Sequence, residues 1–450
     1  MLATAMGYRL VRGFIRLLLW LFYRRVDVVG AERIPSSGPL IIAANHHNSL
    51  VDPMLIMATF PRRLTVLANA PLFRHPLVGP FLRAVGGLPV NRRKEAGDDP
   101  RKNEAMFATA IAHLRAGGAI LIFPEGRTQP VPTLLPLRTG VARLLLGTEA
   151  AGGRHGVTLL PVGLVFRMPG TFRVASALIT VGARVQVDDC VAAYAAEPEA
   201  TVRRLTERLA WAIRAQIVEA EDQHTLELAS ALERAWREER GGAAAGAEAS
   251  LAWRREVMRA ARALAERAPE RVAEFRRRLE AYRAHLSESG LSDAEVGRPY
   301  TPSVVVRWTV VNAAKLAITL PLALWGIASH ALPYALTRVA VGAMRRTEEE
   351  EATDKMAAGL VLYPLCWALE AWLVKRVAGV EALVVFLLLL APAGLIALAW
   401  RARLERVVRQ ARAFGRFVVD RRLHADLIAE RRALVSEAMA LAHLAAERRA

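Results

Sequence analysis

Two adjacent histidines and a following aspartate are the residues of this chain best suited to chemistry. His46 and His47 directly follow the apolar run 39–44, and Asp52 comes shortly afterwards. The run predicts a buried strand, and open α/β sheets carry their reactive groups at the carboxyl ends of such strands. A histidine beside a carboxylate can take a proton from a hydroxyl group near neutral pH, so the pattern favours general-base catalysis. A histidine pair in a polar turn is also a common surface feature. The neighbouring segments decide between a catalytic base and a surface pair.

Three further segments place polar or turn residues at the end of a strand-like apolar run. They are 86–93, which contains Arg92 and Arg93; 120–128, which contains Glu125, Gly126, Arg127 and Thr128; and 157–164, which contains Pro161. The planar guanidinium group of arginine matches two phosphate oxygens at once. Together with the histidine segment, these runs predict a base that activates a hydroxyl beside a site that binds phosphate.

The four segments resemble, in order, the motifs of the membrane-bound glycerol-3-phosphate and lysophosphatidate (1-acylglycerol-3-phosphate) acyltransferases. Those motifs are Asn-His with a spacer and Asp, a Gly-rich turn ending in Arg, Phe-Pro-Glu-Gly with Arg and Ser or Thr, and an apolar strand with Pro. Here they span roughly residues 25–190, and four ordered motifs are far more specific than one. Residues 45–53 resemble the Asn-His-Pro-Asn-Ser-Leu-Leu-Asp-Pro form of one branch, with His47 in place of its first proline.

The resemblance implies roles for the reactive residues. His46 would be the general base and Asp52 would orient it, as in other base-orienter pairs. His47 has the commoner family spacing to Asp52 and stays an alternative base. The acceptor-phosphate site would contain Arg92, Glu125, Gly126, Arg127 and Thr128, while Pro161 would shape the acyl-donor side. Glu125 would repel phosphate, so it is expected to fix an arginine or to bind a glycerol hydroxyl.

The same branch shares the short spacing from Glu125 to Arg127 and the run 135–140, here Leu-Pro-Leu-Arg-Thr-Gly. Thr139 and Gly140 open a predicted helix whose backbone N–H groups could face an anion, although ordinary helix initiation explains them equally well. The expected reaction joins an acyl thioester, either acyl-CoA or acyl carrier protein, to a hydroxyl of glycerol-3-phosphate or a lysophospholipid. It calls for no metal and no cofactor beyond this co-substrate.

Composition favours a membrane lipid over nucleic acid as the polyanionic partner. The 450 residues carry a formal charge of +18, which predicts binding to nucleic acid or an anionic bilayer. Because 53% of the residues are hydrophobic and no nucleic-acid motif is present, the bilayer is the better choice. The two cysteines, Cys190 and Cys366, lie far apart in sequence and indicate no disulfide framework. No particular oligomeric state is indicated.

Residues 1–25 predict an amphipathic helix that lies at the membrane interface. Arg9, Arg12 and Arg16 recur at the spacing of one helical face, while apolar and aromatic side chains cover most of the remainder. The segment contains no acidic residue. A basic amphipathic helix of this kind binds anionic lipid, so the three arginines are expected to contact headgroups.

Residues 26–195 predict an α/β acyltransferase domain with a mostly parallel sheet, because apolar runs alternate with amphipathic stretches. The predicted strands are 38–44, 64–69, 86–91, 119–123, 157–166 and 173–181, and the predicted helices are 52–60, 75–85, 102–116 and 138–150. Residues 196–300 have the Ala, Arg, Glu and Leu content of long charged helices. Within them, the spacing of Leu205, Leu209, Ile213 and Ile217 predicts a helix packed on the catalytic domain.

Residues 301–400 predict transmembrane helices. The segments 316–336, 356–374 and 382–400 are close to the ~20 apolar residues that span a bilayer, and the last two are expected to form a hairpin. The tail 401–450 is rich in arginine, which predicts the cytoplasmic side. The sequence therefore predicts an integral membrane protein with a cytoplasmic active site, at the inner membrane if the protein is bacterial.

Three other functions stay open at this point. A lipid-binding or scaffold protein of the same fold without turnover would share the architecture, although such a relative is expected to lose His46 or Asp52. A metal site at His46, His47 and Asp52 lacks an evident fourth ligand. A basic nucleic-acid binder is disfavoured by the apolar segments.

Overall fold

The computed structural model describes residues 2–74, 78–91, 100–129, 133–150, 153–167, 171–220, 223–239, 247–296, 302–343 and 351–447. The chain divides into two compact units. The first contains Met1–Gln223 with Thr347–Thr353, and the second contains His224–Arg346 and Asp354–Ala450. The first unit thus joins the predicted interfacial helix and acyltransferase domain, and it extends past the predicted boundary at residue 195.

A seven-stranded sheet forms the centre of the first unit. Its strands are β1 Arg25–Val29, β2 Leu40–Ala44, β3 Thr65–Asn69, β4 Leu88–Val90, β5 Ala119–Ile122, β6 Thr158–Arg167 and β7 Ser176–Val181, in the order β1-β7-β6-β2-β5-β3-β4. Every neighbouring pair is parallel except β6 and β7. The mostly parallel α/β fold is confirmed, as are all six predicted strands to within a few residues. Strand β1, which pairs with β7 at the edge, was not predicted.

The described helices of the first unit are α1 Leu2–Phe22, α2 Val51–Thr59, α3 Val78–Ala84, α4 Pro100–Arg115, α5 Gly140–Ala150, α6 Asp188–Ala193 and α7 Pro198–Arg214. Four of them match the predicted helices of the α/β domain. The predicted packing face of α7 is also confirmed, since Leu205, Leu209 and Ile213 are buried. The hydroxyl of Thr180 in β7 donates to the Gln216 carbonyl just after α7, at 2.6 Å, which fixes this helix end on the sheet.

Two arginines of helix α1 form hydrogen bonds to the end of α2. Arg16 Nε donates to the Ala58 carbonyl at 2.9 Å, and Arg12 donates to the carbonyls of Ala58 and Phe60. Arg12 is half-buried and Arg16 is exposed, and both bind the free carbonyl groups at the end of α2. Contact of these arginines with lipid headgroups stays a prediction. Arg9 is exposed.

The outer side of α1 is largely apolar. Its five large side chains are 45–70% exposed, at helical spacing: Met6, Leu10, Phe14, Leu17 and Trp20. Tyr8, Ile15 and Leu19 lie on the opposite side and are buried against the domain. The helix is amphipathic as predicted, and its exposed side carries large apolar side chains together with Arg9 and Arg16.

In the second unit, helices α8 Gln223–Glu239, α9 Ala247–Ala265, α10 Pro269–Glu288, α11 Asp293–Val296 and α14 Arg421–Glu447 share one hydrophobic core. The indole rings of Trp236 and Trp253 stack at its centre, with 5.1 Å between ring centroids. The buried Arg431 forms an ion pair with Glu239 and donates to the Asp293 carbonyl. The charged region 196–300 therefore contributes to both units.

The apolar region of the second unit contains α12 Pro302–Ala343 and α13 Glu351–Val419. Gly379, with φ of 83°, breaks α13 into two arms. The ring of His330 lies against Trp367 of the first arm and packs on the backbone of Gly394 in the second. Because both arms meet the same residue of α12, the chain reverses at Gly379, as the predicted hairpin requires.

Among the described residues, α12 and α13 are long and apolar enough to cross a membrane, over Val305–Ala343 and Glu351–Val418. Only 11% and 28% of their most apolar windows are buried. A core helix of a soluble protein is mostly buried, so the exposure distinguishes these helices from such cores. The three predicted segments thus correspond to two helices, the second of them broken at Gly379.

Candidate active site

The sheet topology brings two of the sequence motifs together. Strands β2 and β5 are parallel neighbours, with Ala43 in register with Ile122. The segments that follow them, 45–50 and 123–129, therefore leave the same edge of the sheet side by side. This is the edge at which open α/β sheets bind ligands, and it explains why residues about 80 positions apart in sequence share one site.

His46 and Asp52 form the central pair. The Nδ1 atom of His46 lies 2.8 Å from Oδ2 of Asp52. Asp52 is fully buried, whereas the His46 side chain keeps 18% of its surface exposed. The same Oδ2 atom accepts the backbone N–H groups of His47 and Asn48, at 2.7 and 2.8 Å. An oxygen that accepts these bonds requires a hydrogen on Nδ1 of His46, which leaves the lone pair on Nε2.

His47 has a different environment. Its Nδ1 atom donates to the carbonyl of Gln129 at 3.0 Å, and only its backbone reaches Asp52. The structure therefore pairs Asp52 with His46 and not with the alternative base. The side chains of His46, His47 and Asp52 do not converge on one point, and within the described ranges no group of three or more His, Cys, Asp or Glu side chains could hold a metal ion.

Two buried contacts fix the position of His46. The ring of Phe123, at the end of β5, stacks on the imidazole with 4.2 Å between centroids. The side chain of Asn45 is fully buried and bonds to both backbone groups of Leu164 in β6, at 2.9 and 2.7 Å. These contacts tie the turn after β2 to both neighbouring strands, which restricts the imidazole to one orientation.

Glu125 is buried, and both of its carboxylate oxygens accept backbone N–H groups. Its expected role towards an arginine or a glycerol hydroxyl stays a prediction. One carboxylate oxygen accepts the backbone N–H of His46 at 2.7 Å, and the other accepts that of Leu135 at 2.9 Å. Burial raises the pKa of the Glu125 carboxyl, while the two backbone donors oppose this rise. Both oxygens are used within the protein, so Glu125 joins the base to the segment 133–138.

Gly126 and Arg138 are in direct contact. Gly126 has φ of 71°, and a Cβ atom there would collide with the Arg138 side chain, which lies across it. The backbone N–H of Arg138 donates to the Pro124 carbonyl at 2.8 Å. Arg127 and Arg138 are both exposed, and neither forms an ion pair within the part of the chain that the structure describes. Arg127 follows Glu125 by two residues, and the side chain of Arg138 lies against Gly126, so two exposed guanidinium groups are close to Glu125.

Three predicted site residues remain: Thr128, Pro161 and Arg92. Thr128 is half-buried beside Arg127. Pro161 is buried within β6, opposite Ala43 of β2 and against Gly182, and so has no surface to offer an acyl chain directly. Arg92 lies outside the described residues. Sequence reasoning did not assign a role to Arg138, although the run 135–140 was noted, nor to Tyr23, whose hydroxyl accepts a hydrogen bond from Asn48.

The fold and the site define an open α/β domain with a histidine base candidate, its aspartate partner and exposed arginines at one sheet edge. Residues 25–165 match the family model described as Acyltransferase. The resemblance predicted from the sequence motifs is thereby confirmed, and this part of the chain is an acyltransferase-family domain.

Two sequence relatives agree with this assignment. The chain is 31% identical over 159 residues to a 1-acyl-sn-glycerol-3-phosphate acyltransferase of Borreliella burgdorferi, covering 35% of this chain and 58% of that protein. It is 31% identical over 136 residues to glycerol-3-phosphate O-acyltransferase 2 of Saccharomyces cerevisiae, covering 30% and 18% respectively. The solved structure of the 1-acyl-sn-glycerophosphate acyltransferase PlsC from Thermotoga maritima matches with a TM-score of 0.33 and 24% identity, over 46% of this chain and 80% of that one.

The chain spans 58% of the Borreliella protein and 18% of the yeast protein. Similarity alone therefore does not transfer the substrates of the relatives to this chain.

Proposed function

We propose that this protein is a glycerolipid acyltransferase that moves an acyl chain from a thioester to a hydroxyl of glycerol-3-phosphate or a lysophospholipid. The observation that carries the proposal is the pairing of His46 with Asp52, which leaves Nε2 of His46 ready to accept a proton. The match of residues 25–165 to the acyltransferase family supports the reaction class. The names of the relatives support a phosphate-bearing glycerolipid as acceptor.

In the proposed reaction, Nε2 of His46 takes the proton of the acceptor hydroxyl as its oxygen attacks the thioester carbonyl carbon. Asp52 holds the imidazole by Nδ1 and stabilises the positive charge that forms on the ring. The tetrahedral intermediate collapses as the C–S bond breaks, and the imidazolium returns the proton to the departing thiolate. The products are an ester and a free thiol. The donor is acyl-CoA or an acylated acyl carrier protein, whose thiol is released, and the reaction uses no further cofactor.

Arg127 and Arg138 are the proposed cations for the acceptor phosphate. Both are exposed beside the turn that Glu125 ties to His46, so a bound phosphate would place the glycerol hydroxyls near the base. Arginine binds phosphate through paired N–H groups and holds a fixed orientation. Arg92 belongs to the same site by resemblance to the family motif.

A membrane location follows from the chemistry and from the two units taken separately. Acyl glycerolipids reside in bilayers, and the apolar outer face of α1 offers exposed Phe14 and Trp20 to such a surface. In the second unit, α12 and α13 would cross the bilayer. The arginine-rich tail would place the active site on the cytoplasmic side.

The test uses the purified full-length protein in lipid vesicles. Glycerol-3-phosphate, 1-acylglycerol-3-phosphate, unphosphorylated glycerol and monoacylglycerol would each be offered with acyl-CoA and with acyl carrier protein. Product ester and free thiol would be measured together, with His46→Ala as the control. We expect His46-dependent release of thiol with a phosphorylated acceptor. If no pair of substrates gives ester, the protein is a binding or scaffold relative of the fold and the proposal fails.

A further inference from the structure

Helix α2 carries Asp52 in its first turn, and helix α1 binds the C-terminal end of α2. Arg12 and Arg16 donate to the carbonyls of Ala58 and Phe60, which are the last acceptors of α2. Cations at a helix C-terminus also interact favourably with the helix dipole. The end of α2 opposite to Asp52 is therefore fixed by α1.

Tyr23, the residue that follows α1, contacts the turn that precedes the N-terminal end of α2. Tyr23 is buried, and its hydroxyl oxygen accepts a hydrogen bond from the side-chain amide of Asn48 at 3.2 Å. The backbone N–H of Asn48 in turn donates to Oδ2 of Asp52. Burial, with the nearby charge of Asp52, raises the pKa of Tyr23, so its hydroxyl stays neutral. A continuous chain of contacts thus runs from Tyr23 through Asn48 to Asp52 and His46.

The turn that Tyr23 contacts needs outside support. Ser49 has φ of 39°, a left-handed conformation that a residue with a side chain seldom adopts. Such conformations persist only where surrounding contacts enforce them. Tyr23 supports this turn by the hydrogen bond that its hydroxyl accepts from the side chain of Asn48. Without it, Asn48 can relax and withdraw its N–H from Asp52.

We propose that Tyr23 is a positioning residue for the His46–Asp52 pair and acts through Asn48. Helix α1 would then have two sides with two functions. Its outer apolar face meets lipid, while its inner face and Tyr23 keep the active-site aspartate in place. The kinetic part of this inference rests on the proposed acyltransferase function.

The experiment compares Tyr23→Phe with Tyr8→Phe in the full-length protein. Tyr8 is a matched control, since it is a buried tyrosine within α1 whose hydroxyl likewise accepts one hydrogen bond, from the Leu64 backbone at 3.1 Å. We expect Tyr23→Phe to lower kcat by about 3- to 10-fold, the effect of one hydrogen bond, with little change in acceptor KM. Tyr8→Phe should leave kcat nearly unchanged, and thermal unfolding should show that both variants fold.

A double-mutant cycle identifies the route. If Tyr23 acts through Asn48, then Tyr23→Phe should have no further effect on kcat in an Asn48→Ala background. Independent, multiplying effects would overturn the proposal, as would equal losses in Tyr8→Phe and Tyr23→Phe.

A turnover-free measurement separates this inference from the proposed function. The ¹⁵N shifts of the His46 ring, assigned with His46→Ala, report which nitrogen carries the hydrogen. We expect Nδ1–H in the wild type and in Tyr8→Phe, and a mixture of tautomers in Tyr23→Phe. An unchanged His46 signal in Tyr23→Phe would overturn the inference even if the protein proves inactive. An inactive wild type with the expected shifts would overturn only the proposed reaction.

Discussion

Oδ2 of Asp52 lies 2.8 Å from Nδ1 of His46 and also accepts two backbone N–H groups from the turn between them. One carboxylate oxygen therefore organises both the imidazole and the backbone that carries it. Removing the carboxylate would free the ring and loosen the turn at once. The two histidines of the motif differ in how they bind Asp52. His46 reaches this oxygen through its ring, whereas His47 reaches it only through its backbone N–H.

The first prediction concerns the choice of base. His46→Ala should lower kcat by about 10²- to 10⁴-fold, the usual contribution of a positioned general base. Asp52→Asn should cause a comparable loss, since it favours the wrong tautomer of His46. His47→Ala should keep most activity, because the His47 ring contacts Gln129. Ester formation under saturating substrates is the measurement, and an inactive His47→Ala with an active His46→Ala would reverse the assignment.

A second prediction concerns Glu125 as a support of the base. Glutamine keeps the size of the side chain but offers only one acceptor oxygen to the two backbone N–H groups. Glu125→Gln should therefore displace the His46 backbone and lower kcat by about 10-fold or more, since bonds to a charged group contribute roughly 1.5–3 kcal/mol each.

Glu149 provides the control for this substitution. It is also buried and accepts the backbone N–H groups of His155 and Val157, away from the site. Glu149→Gln should reduce the melting temperature without a comparable loss in kcat. Parallel losses of kcat in the two variants would mean that Glu125 acts on global stability alone.

The third prediction concerns the acceptor phosphate. Arg127→Gln and Arg138→Gln should each raise KM for glycerol-3-phosphate by about 5- to 50-fold, because a charge-assisted hydrogen bond is lost. The KM for the thioester should change much less. Arg143→Gln, at an exposed arginine of α5, removes the same charge one turn away and should be near neutral. Uniform effects of the three substitutions would indicate a general electrostatic attraction and no defined phosphate site.

A fourth prediction separates the two sides of α1. Replacing Leu10 and Phe14 by serine should weaken vesicle binding and lower activity on vesicles, while activity in detergent is kept. Replacing Arg12 and Arg16 by glutamine should lower activity in both media, because these arginines bond to the end of α2. Vesicle flotation and ester formation would be measured side by side. A loss confined to anionic vesicles in the arginine variant would favour the headgroup role.

The fifth prediction concerns the packing of the apolar helices. A Cβ atom on Gly326 would overlap the Ala393 carbonyl, so Gly326→Ala should force α12 away from α13 at a cost of about 1–3 kcal/mol. Gly342→Ala is the matched control, since nothing lies within 4 Å of a Cβ atom there. Thermal unfolding in detergent should show a lower melting temperature for Gly326→Ala only.

The sequence by itself determined the α/β order of the first unit, the motif residues and the apolar helices. Strand and helix periods are local properties that a pattern of apolar side chains records directly. The candidate site residues His46, Asp52, Glu125 and Arg127 could be proposed from sequence because they stand in short motifs with fixed spacing. Strand β1 was missed, since it is short and lies at an edge, where alternation is weak.

Tertiary structure alone decided what each side chain contacts. The pairing of Asp52 with His46, the use of both Glu125 oxygens by backbone groups and the burial of Pro161 depend on segments that lie far apart in sequence. The contacts of the α1 arginines were likewise decided by the tertiary structure. Helical spacing placed Arg12 and Arg16 on one face, but only the approach of α2, with its free carbonyl groups, determined which acceptors these two side chains bind.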